Sequence, residues 1–126
     1  METKYIDTNV ALWLVNGNKQ IFSTRAKNEI NNSKLLISPM VILEFKYLEE
    51  IGRVTTSPER IVKLLYTDFH IEICDKPFLD IIKSSISFDF TRDPFDRIIT
   101  AHAALENSKL ITKDQFILDN YKNAIW

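Results

Sequence analysis

Short apolar runs alternate with longer amphipathic segments along this chain. Five runs have the length and composition of buried β-strands, over residues 4–7, 34–37, 70–73, 109–112 and 124–126. The segments between them place apolar residues three or four positions apart, the spacing that lines one face of a helix. This alternation predicts an α/β fold in which a short, mostly parallel sheet of about five strands has helices on both faces.

Capping residues indicate where the predicted helices begin and end. Ser23 can accept a hydrogen bond from a free N–H group in the first turn of a helix, and Pro39 and Pro94 suit the first helical position. Gly52 can end a helix because glycine readily adopts a left-handed backbone. We predict helices over residues 8–15, 24–31, 39–51, 58–69, 76–88, 94–107 and 114–121.

The composition is that of an ordinary globular domain. The 126 residues are 45% hydrophobic and 26% charged, with two glycines and no internal repeat. We therefore expect one domain over residues 1–126. No apolar stretch approaches the roughly 20 residues that a membrane span needs, and no signal-peptide pattern precedes the first strand. Because Cys74 is the single cysteine, no internal disulfide can form, and we expect a cytoplasmic protein.

Carboxylates follow the predicted strands, or lie in the first turns of the helices after them. They are Asp7, Glu44, Asp93, Asp96 and Asp114. Ligands bind at the carboxyl ends of parallel strands, so these side chains are predicted to converge there. Carboxylates held together repel one another unless a cation neutralises them. A divalent cation held by oxygen ligands is a means of cleaving phosphodiesters, which makes the chain a candidate metal-dependent nuclease.

A simpler role is open for some of these acids. Asp7, Asp93 and Asp114 each precede a predicted helix, where an aspartate serves as an N-cap. Asp96 lies beyond the cap position, and Glu44 lies in the mostly apolar run 40–45. A carboxylate on the core side of a helix is costly unless it is paired or bound to metal. Capping alone therefore does not explain the set.

Other polar side chains near the acids are candidate supporting groups. Hydroxyl and amide groups could orient the metal ligands or could serve turns and caps, and they belong to Thr8, Asn9, Ser38 and Thr112. The net charge of −1 argues weakly against a bulk positive field for nucleic acid. Individual basic residues could still contact phosphate, foremost Lys46, Arg97 and Lys113, with Arg53 and Arg92 as further candidates.

The two histidines and the cysteine receive structural interpretations. His102 lies on the apolar stripe of its helix and is interpreted as a packed core or interface residue rather than a base. His70 is placed at the start of the third strand. Cys74 has no partner motif and is interpreted as a core residue.

Four short motifs occur in a fixed order over nearly the whole chain. They are Ile6-Asp7-Thr8-Asn9, Ile37-Ser38-Pro39 followed by Glu44, Asp93-Pro-Phe-Asp96-Arg97-Ile-Ile, and Leu110-Ile-Thr-Lys-Asp114. The Asp-Pro-Phe-Asp-Arg box is the most specific of the four. With these motifs the chain resembles a PIN domain, and specifically the toxin nucleases of VapBC-type toxin–antitoxin systems.

The resemblance implies a three-layer α/β/α fold and an endoribonuclease that depends on Mg²⁺ or Mn²⁺. It places three core metal-binding and catalytic acids at Asp7, Glu44 and Asp96 and a fourth at Asp114. Asp93 is an additional acid of the Asp-Pro-Phe-Asp variant and could bind metal or cap its helix. One departure is Val41, where similar proteins often carry a serine.

The resemblance also implies partners: an RNA substrate, a second copy of the chain, and a small antitoxin whose C-terminal segment lies in the active-site groove. The helix over 58–69 and the exposed part of the helix over 39–51 are candidate dimer surfaces. An alternative is a catalytically silent PIN-fold module that binds RNA or protein. A haloacid-dehalogenase-like phosphatase is disfavoured because it requires Asp-x-Asp after the first strand, where this chain has Asp7-Thr8-Asn9.

Overall fold

The computed structural model describes residues Met1–Trp126 and contains five strands and seven α-helices. The strands are β1 (Thr3–Ile6), β2 (Lys34–Ile37), β3 (Glu72–Ile73), β4 (Leu110–Ile111) and β5 (Ala124–Ile125). The helices are α1 (Thr8–Asn16), α2 (Thr24–Asn31), α3 (Pro39–Glu50), α4 (Pro58–Phe69), α5 (Phe78–Ser85), α6 (Pro94–Ala104) and α7 (Gln115–Asn120). A 3₁₀-helix at Lys19–Ile21, which the pattern did not predict, lies between α1 and α2.

All five strands pair in parallel, in the order β3-β2-β1-β4-β5. The central strand β1 is nearly fully buried, with Tyr5 beside Leu36 on one side and Leu110 on the other. The chain adds β2 and β3 on one side of β1 and then returns to place β4 on the other. The switch in strand order therefore lies between β1 and β4, where Asp7 and Thr112 follow the strands. The predicted α/β/α fold with a parallel five-stranded sheet is confirmed.

The caps form as their residue types predict. Ser23 Oγ accepts from the Ala26 amide at 2.9 Å, and Ser57 Oγ accepts from the Arg60 amide at 3.3 Å. Pro39 and Pro94 occupy the first positions of α3 and α6. Gly52, just beyond α3, adopts the left-handed backbone with a φ of 81°.

Several element boundaries differ from the prediction, and α6 for example ends at Ala104 rather than at residue 107. His70 does not open a strand; it is the left-handed C-cap of α4, with a φ of 57°, and β3 starts two residues later. Helix α5 is shorter than predicted at both ends. Lys76 is excluded because a residue before proline disfavours the helical conformation. At the other end, the Arg97 guanidinium donates to the carbonyls of Ser85 and Ile86, which satisfies the last turn.

Two residues that the sequence places in the core are found there. His102 and Cys74 are both buried, as predicted. No helix combines the length and the apolar character that crossing a membrane requires.

Candidate active site

Asp7 lies at the end of the central strand and is held from three sides. Its backbone amide donates to the Ile111 carbonyl of β4 at 3.1 Å. Its Oδ1 accepts from the Thr8 amide at 2.7 Å, so Asp7 is the N-cap of α1. Its Oδ2 accepts from the Thr112 hydroxyl, also at 2.7 Å. Asp7 is thus both a cap and a buried carboxylate at the switch in strand order.

Glu44 reaches the same region from α3. Its Oε1 accepts a hydrogen bond from the Thr8 hydroxyl, which joins the first turn of α1 to the middle of α3. Val41, three residues earlier on α3, is fully buried in the core. This burial gives a packing reason for an apolar residue where similar proteins often carry serine.

Asp93 and Asp96 lie at the start of α6 and have different roles. Asp93 Oδ1 accepts from the Phe95 amide at 2.8 Å and from the Asp96 amide at 3.4 Å, so Asp93 is the N-cap. The Asp96 carboxylate accepts no hydrogen bond from the protein and is only partly exposed. Its charge is therefore not offset by any local donor.

Asp114 is the N-cap of α7 and is linked to Asp7 through one threonine. Its Oδ1 accepts from the Ile117 amide at 3.2 Å, while its own amide donates to the Thr112 hydroxyl oxygen at 3.0 Å. Asp7, Asp114, Asn9 and Lys113 line a cavity of about 210 Å³. Thr112 thus orients Asp7 and the turn that carries Asp114.

The electrostatics indicate that the acids form one cluster. Burial, followed by the charges of Asp93, Asp7, Asp114 and Glu44, raises the pKa of Asp96 to about 7. Burial also raises the pKa of Asp7 and of Glu44, and neighbouring carboxylates add to both shifts. The bonds from Thr112 and Thr8 oppose these pKa shifts because they stabilise the charged forms.

Oxygen ligands with unrelieved repulsion suit a hard divalent cation. The carboxylates nevertheless stand apart, since no three acidic, histidine or cysteine side chains lie close enough together to form a ready-made metal site. Binding of a cation would have to draw these side chains inward. The donor set therefore fits Mg²⁺ or Mn²⁺ in its chemistry.

The predicted supporting residues divide into three groups. Thr8 and Thr112 bind acids directly, as described above, whereas Asn9 is exposed and only lines the cavity. Ser38 does not contact an acid. It bonds His102 and caps α3, so the prediction that it lies beside the acids is wrong.

The basic candidates for RNA contact are also placed differently. Lys113 lines the cavity with Asp7 and Asp114. Lys46 pairs with Glu49 at 2.9 Å on the surface of α3. The Arg97 guanidinium is engaged with the end of α5, which gives it a structural role there.

Trp13 is a site residue that the sequence analysis missed. It lies four residues after Asn9 on α1, and it lines both the 210 Å³ cavity and an adjacent cavity of about 380 Å³ with Leu14 and Phe22. Its i, i+4 relation to Asn9 is the signal that could have identified it. Trp13 therefore joins the acidic site to an apolar groove.

We expect the Thr112→Val variant to lose about 10- to 100-fold in any metal affinity or metal-dependent activity, because Asp7 would lose its orienting donor. Thr100→Val is the matched control, since the Thr100 hydroxyl is buried and has no hydrogen-bond partner. Titration of both variants with Mn²⁺ checks this prediction. Equal affinities in the two variants would contradict it.

Comparison with known proteins gives a family and a fold. The family model of the PIN domain matches residues 4–122. No curated protein matches in sequence.

Solved structures that resemble this chain include three toxin–antitoxin complexes. VapBC2 from Rickettsia felis, bound to a DNA fragment from its promoter, is 17% identical with a TM-score of 0.67. A toxin–antitoxin complex from Klebsiella pneumoniae is 19% identical with a TM-score of 0.66. VapBC-1 from nontypeable Haemophilus influenzae is 17% identical with a TM-score of 0.64. Each match covers 98% of this chain and 96% of the other.

Proposed function

Because this chain belongs to the PIN-domain family, we propose that it is a metal-dependent endoribonuclease and the toxin of a type II toxin–antitoxin module. The observation that carries this proposal is that Asp7, Glu44 and Asp96 are buried or half-buried within reach of the same charges, those of Asp93 and Asp114, and that the pKa of each is raised. Several carboxyls with raised pKa values in one cluster are typical of a site rather than of scattered surface charges.

The proposed chemistry divides between the cation and the chain. Asp7, Glu44 and Asp96 would hold Mg²⁺ or Mn²⁺, and Asp114 would complete the set. Such a cation supplies, when bound, activation of water and neutralisation of charge on the phosphate. Thr8 and Thr112 keep Glu44 and Asp7 in place through their hydroxyl groups.

The proposal also assigns a contact to the RNA substrate and predicts the ends of the product. Lys113 is positioned to attract the phosphate backbone into the cavity. Water is the nucleophile in this proposal: it forms the new bond to phosphorus, the bond from phosphorus to the 3′-oxygen breaks, and hydrolysis leaves 5′-phosphate and 3′-hydroxyl ends.

Cleavage of total cellular RNA by the purified protein tests this function. We expect discrete fragments with Mg²⁺ or Mn²⁺ and none with EDTA. A 2′,3′-cyclic phosphate product would overturn the hydrolytic mechanism. Absence of cleavage by folded, partner-free protein would instead favour the alternative of a silent PIN-fold binding module.

The antitoxin partner is part of the same proposal. The structurally similar proteins are described as toxin–antitoxin complexes. In this chain, an apolar groove adjoins the acids through Trp13 and carries Lys19 and Lys27 among its lining residues. An antitoxin segment with apolar and acidic side chains suits this groove. A following basic side chain could then neutralise the carboxylates in place of the cation.

A homodimer is the second partner, and α3 offers a surface for it. Leu43, Tyr47 and Ile51 follow one another at four-residue spacing on α3 and its C-cap, and they are 55%, 48% and 48% exposed. Large apolar side chains exposed together on one helix face mark an interaction surface. We therefore place the dimer contact on α3 rather than on α4.

We expect Leu43→Asp to weaken the dimer by about 10-fold or more, because a charge would be buried in the contact. Tyr66→Asp on α4 is the control, since Tyr66 is 60% exposed but lies on the other candidate surface. Light scattering after size-exclusion chromatography measures the mass of each variant. Dissociation by Tyr66→Asp alone would move the contact to α4.

A further inference from the structure

A buried hydrogen bond joins α3 to α6 at a distance from the acids. Ser38 Oγ lies 2.9 Å from His102 Nδ1, and the two residues are only 1% and 5% exposed. Each is also held by its own helix. The Met40 amide donates to Ser38 Oγ at 3.0 Å, and His102 Nδ1 lies 3.1 Å from the Ile98 carbonyl. Neither residue contacts a carboxylate, so the proposed chemistry does not use them directly.

The two helices connected by this bond carry two of the three core acids. Glu44 is six residues after Ser38 along α3, and Asp96 is six residues before His102 along α6. The rings of Tyr47 on α3 and Phe95 on α6 are 5.8 Å apart, so a later residue of α3 lies beside an earlier residue of α6. The helices therefore run antiparallel. Six residues correspond to about 9 Å along a helix axis. Because both acids lie this far from the bond, and in the same direction, the bond also fixes the position of Glu44 on α3 relative to Asp96 on α6.

No other hydrogen bond or ion pair links α3 to α6. Their remaining contact is apolar, and apolar packing has little directional preference. Repulsion between the Glu44 and Asp96 carboxylates pushes the helices apart, and the charge of Glu44 is one of those that raise the pKa of Asp96. The bond between Ser38 and His102 is the only direct polar link between the two helices that opposes this displacement.

The protonation of His102 is consistent with a stable bond. Burial lowers the pKa of His102, so the ring is neutral near pH 7. The Ile98 carbonyl can only accept, and the tautomer with hydrogen on Nδ1 satisfies both contacts of that nitrogen. Lys76 Nζ donates to the His102 carbonyl at 3.2 Å and so holds the backbone of α6 at the same point.

We propose that Ser38 and His102 are positioning residues that set the separation of Glu44 and Asp96 and thereby the affinity of the acidic cluster for a divalent cation. This inference rests on the proposed function only where the experiment measures metal affinity.

Mn²⁺ affinity of the full-length chain, measured by calorimetry, tests the role of the bond. Ser38→Ala and His102→Leu should each weaken Mn²⁺ binding by about 10- to 100-fold, the range found for outer partners of metal ligands. His102→Asn places an amide donor near the position of Nδ1 and should restore affinity to within about threefold of the wild-type value.

Ser57→Ala is the matched control for lost capping. Ser57, like Ser38, is a serine N-cap followed by proline, but its hydroxyl makes no bond to another helix. Both variants should lose folding stability through the cap, and Ser38→Ala should lose more because it also breaks the buried bond to His102. Only Ser38→Ala should lose Mn²⁺ affinity. If Ser38→Ala binds Mn²⁺ like the wild type, Ser38 is a cap and no more, and the proposal is wrong.

A second measurement requires no metal. In crystals of metal-free Ser38→Ala, the distance between the carboxyl carbons of Glu44 and Asp96 should differ from that in the wild type by roughly the 1 Å misplacement that is enough to impair a site. Superposable helices would overturn the proposal even if the metal data agreed with it. If wild-type protein binds no Mn²⁺, the proposed nuclease function fails, while this comparison still decides the positioning role.

Discussion

Replacement of Asp7 by asparagine is expected to abolish RNA cleavage and leave the fold intact. The variant removes the charge of the most buried acid in the cluster, and with it a ligand at the switch between β1 and β4. Loss of a metal ligand removes several kcal/mol of stabilisation of the charged transition state, so we expect the rate to fall by about 1,000-fold or more. Gel analysis of defined RNA fragments measures the effect.

The fold should survive because asparagine can make the same local bonds. Its side-chain oxygen can accept from the Thr8 amide, and its NH₂ group can donate to the Thr112 hydroxyl oxygen. Circular dichroism and thermal unfolding check this point. The control is Asp89→Asn, which removes an exposed aspartate outside the site and should cleave at the wild-type rate. A folded Asp7→Asn protein that retains the wild-type rate would refute the assignment of Asp7.

Replacement of Asp96 by asparagine is expected to stabilise the metal-free protein at neutral and alkaline pH. The pKa of Asp96 is about 7 in the folded chain, against 3.8 for an unperturbed aspartate. Between these values the unfolded chain has lost the proton while the folded chain keeps it, so wild-type stability falls as pH rises through this window. The asparagine side chain of the variant carries no charge at any of these pH values, so the variant does not lose this part of its folding stability.

The expected gain in folding stability follows from the pKa shift of Asp96, reduced because solvent screens a partly exposed charge. The full shift corresponds to about 4 kcal/mol, and partial exposure of Asp96 reduces the expected gain to about 1–3 kcal/mol at pH 8. Well below pH 3.8 the two proteins should be equally stable, because Asp96 is then protonated in both states. Urea unfolding in EDTA at acidic, neutral and alkaline pH measures the difference, with Asp89→Asn as the control. A variant less stable than wild type at alkaline pH would contradict the prediction.

Addition of Mg²⁺ should reverse this order. A ligand that binds only the folded state raises the free energy of unfolding by an amount that grows with its concentration over Kd. Wild-type protein is therefore expected to gain stability in Mg²⁺, whereas Asp96→Asn should gain little and should not cleave RNA. The acidic cluster thus lowers the stability of the metal-free chain, and binding of the cation restores it. A site that functions by binding a cation is expected to show this loss of stability when the cation is absent.

Local chemistry made much of the fold predictable. Strand β2 and helix α2 begin and end where the apolar runs and Ser23 predict, because each boundary depends on residues within one helical turn. One error arose where a distant group intervened, and another from a local left-handed turn. Arg97 ends α5 from twelve residues away, and His70 completes the turn into β3 instead of joining it.

The acids themselves could be identified from sequence, but the contacts that orient them could not. Asp7, Asp93 and Asp114 are caps, as one interpretation proposed, and they also belong to the electrostatic cluster, as the other proposed. The two roles are compatible because an aspartate has two oxygens. Ser38 was expected near the acids from its position after β2, yet its hydroxyl is used by His102, 64 residues away in the chain.

The fold class, the set of acids and the positions of the caps were therefore readable from the residues alone, since periodicity and capping act over three or four positions. Three-dimensional packing was needed to establish which strand is central, that Thr112 bonds Asp7 across 105 residues, and that burial and mutual repulsion bring the pKa of Asp96 to about 7. These properties depend on distances between segments far apart in the chain, and such distances exist only once the sheet and helices have packed.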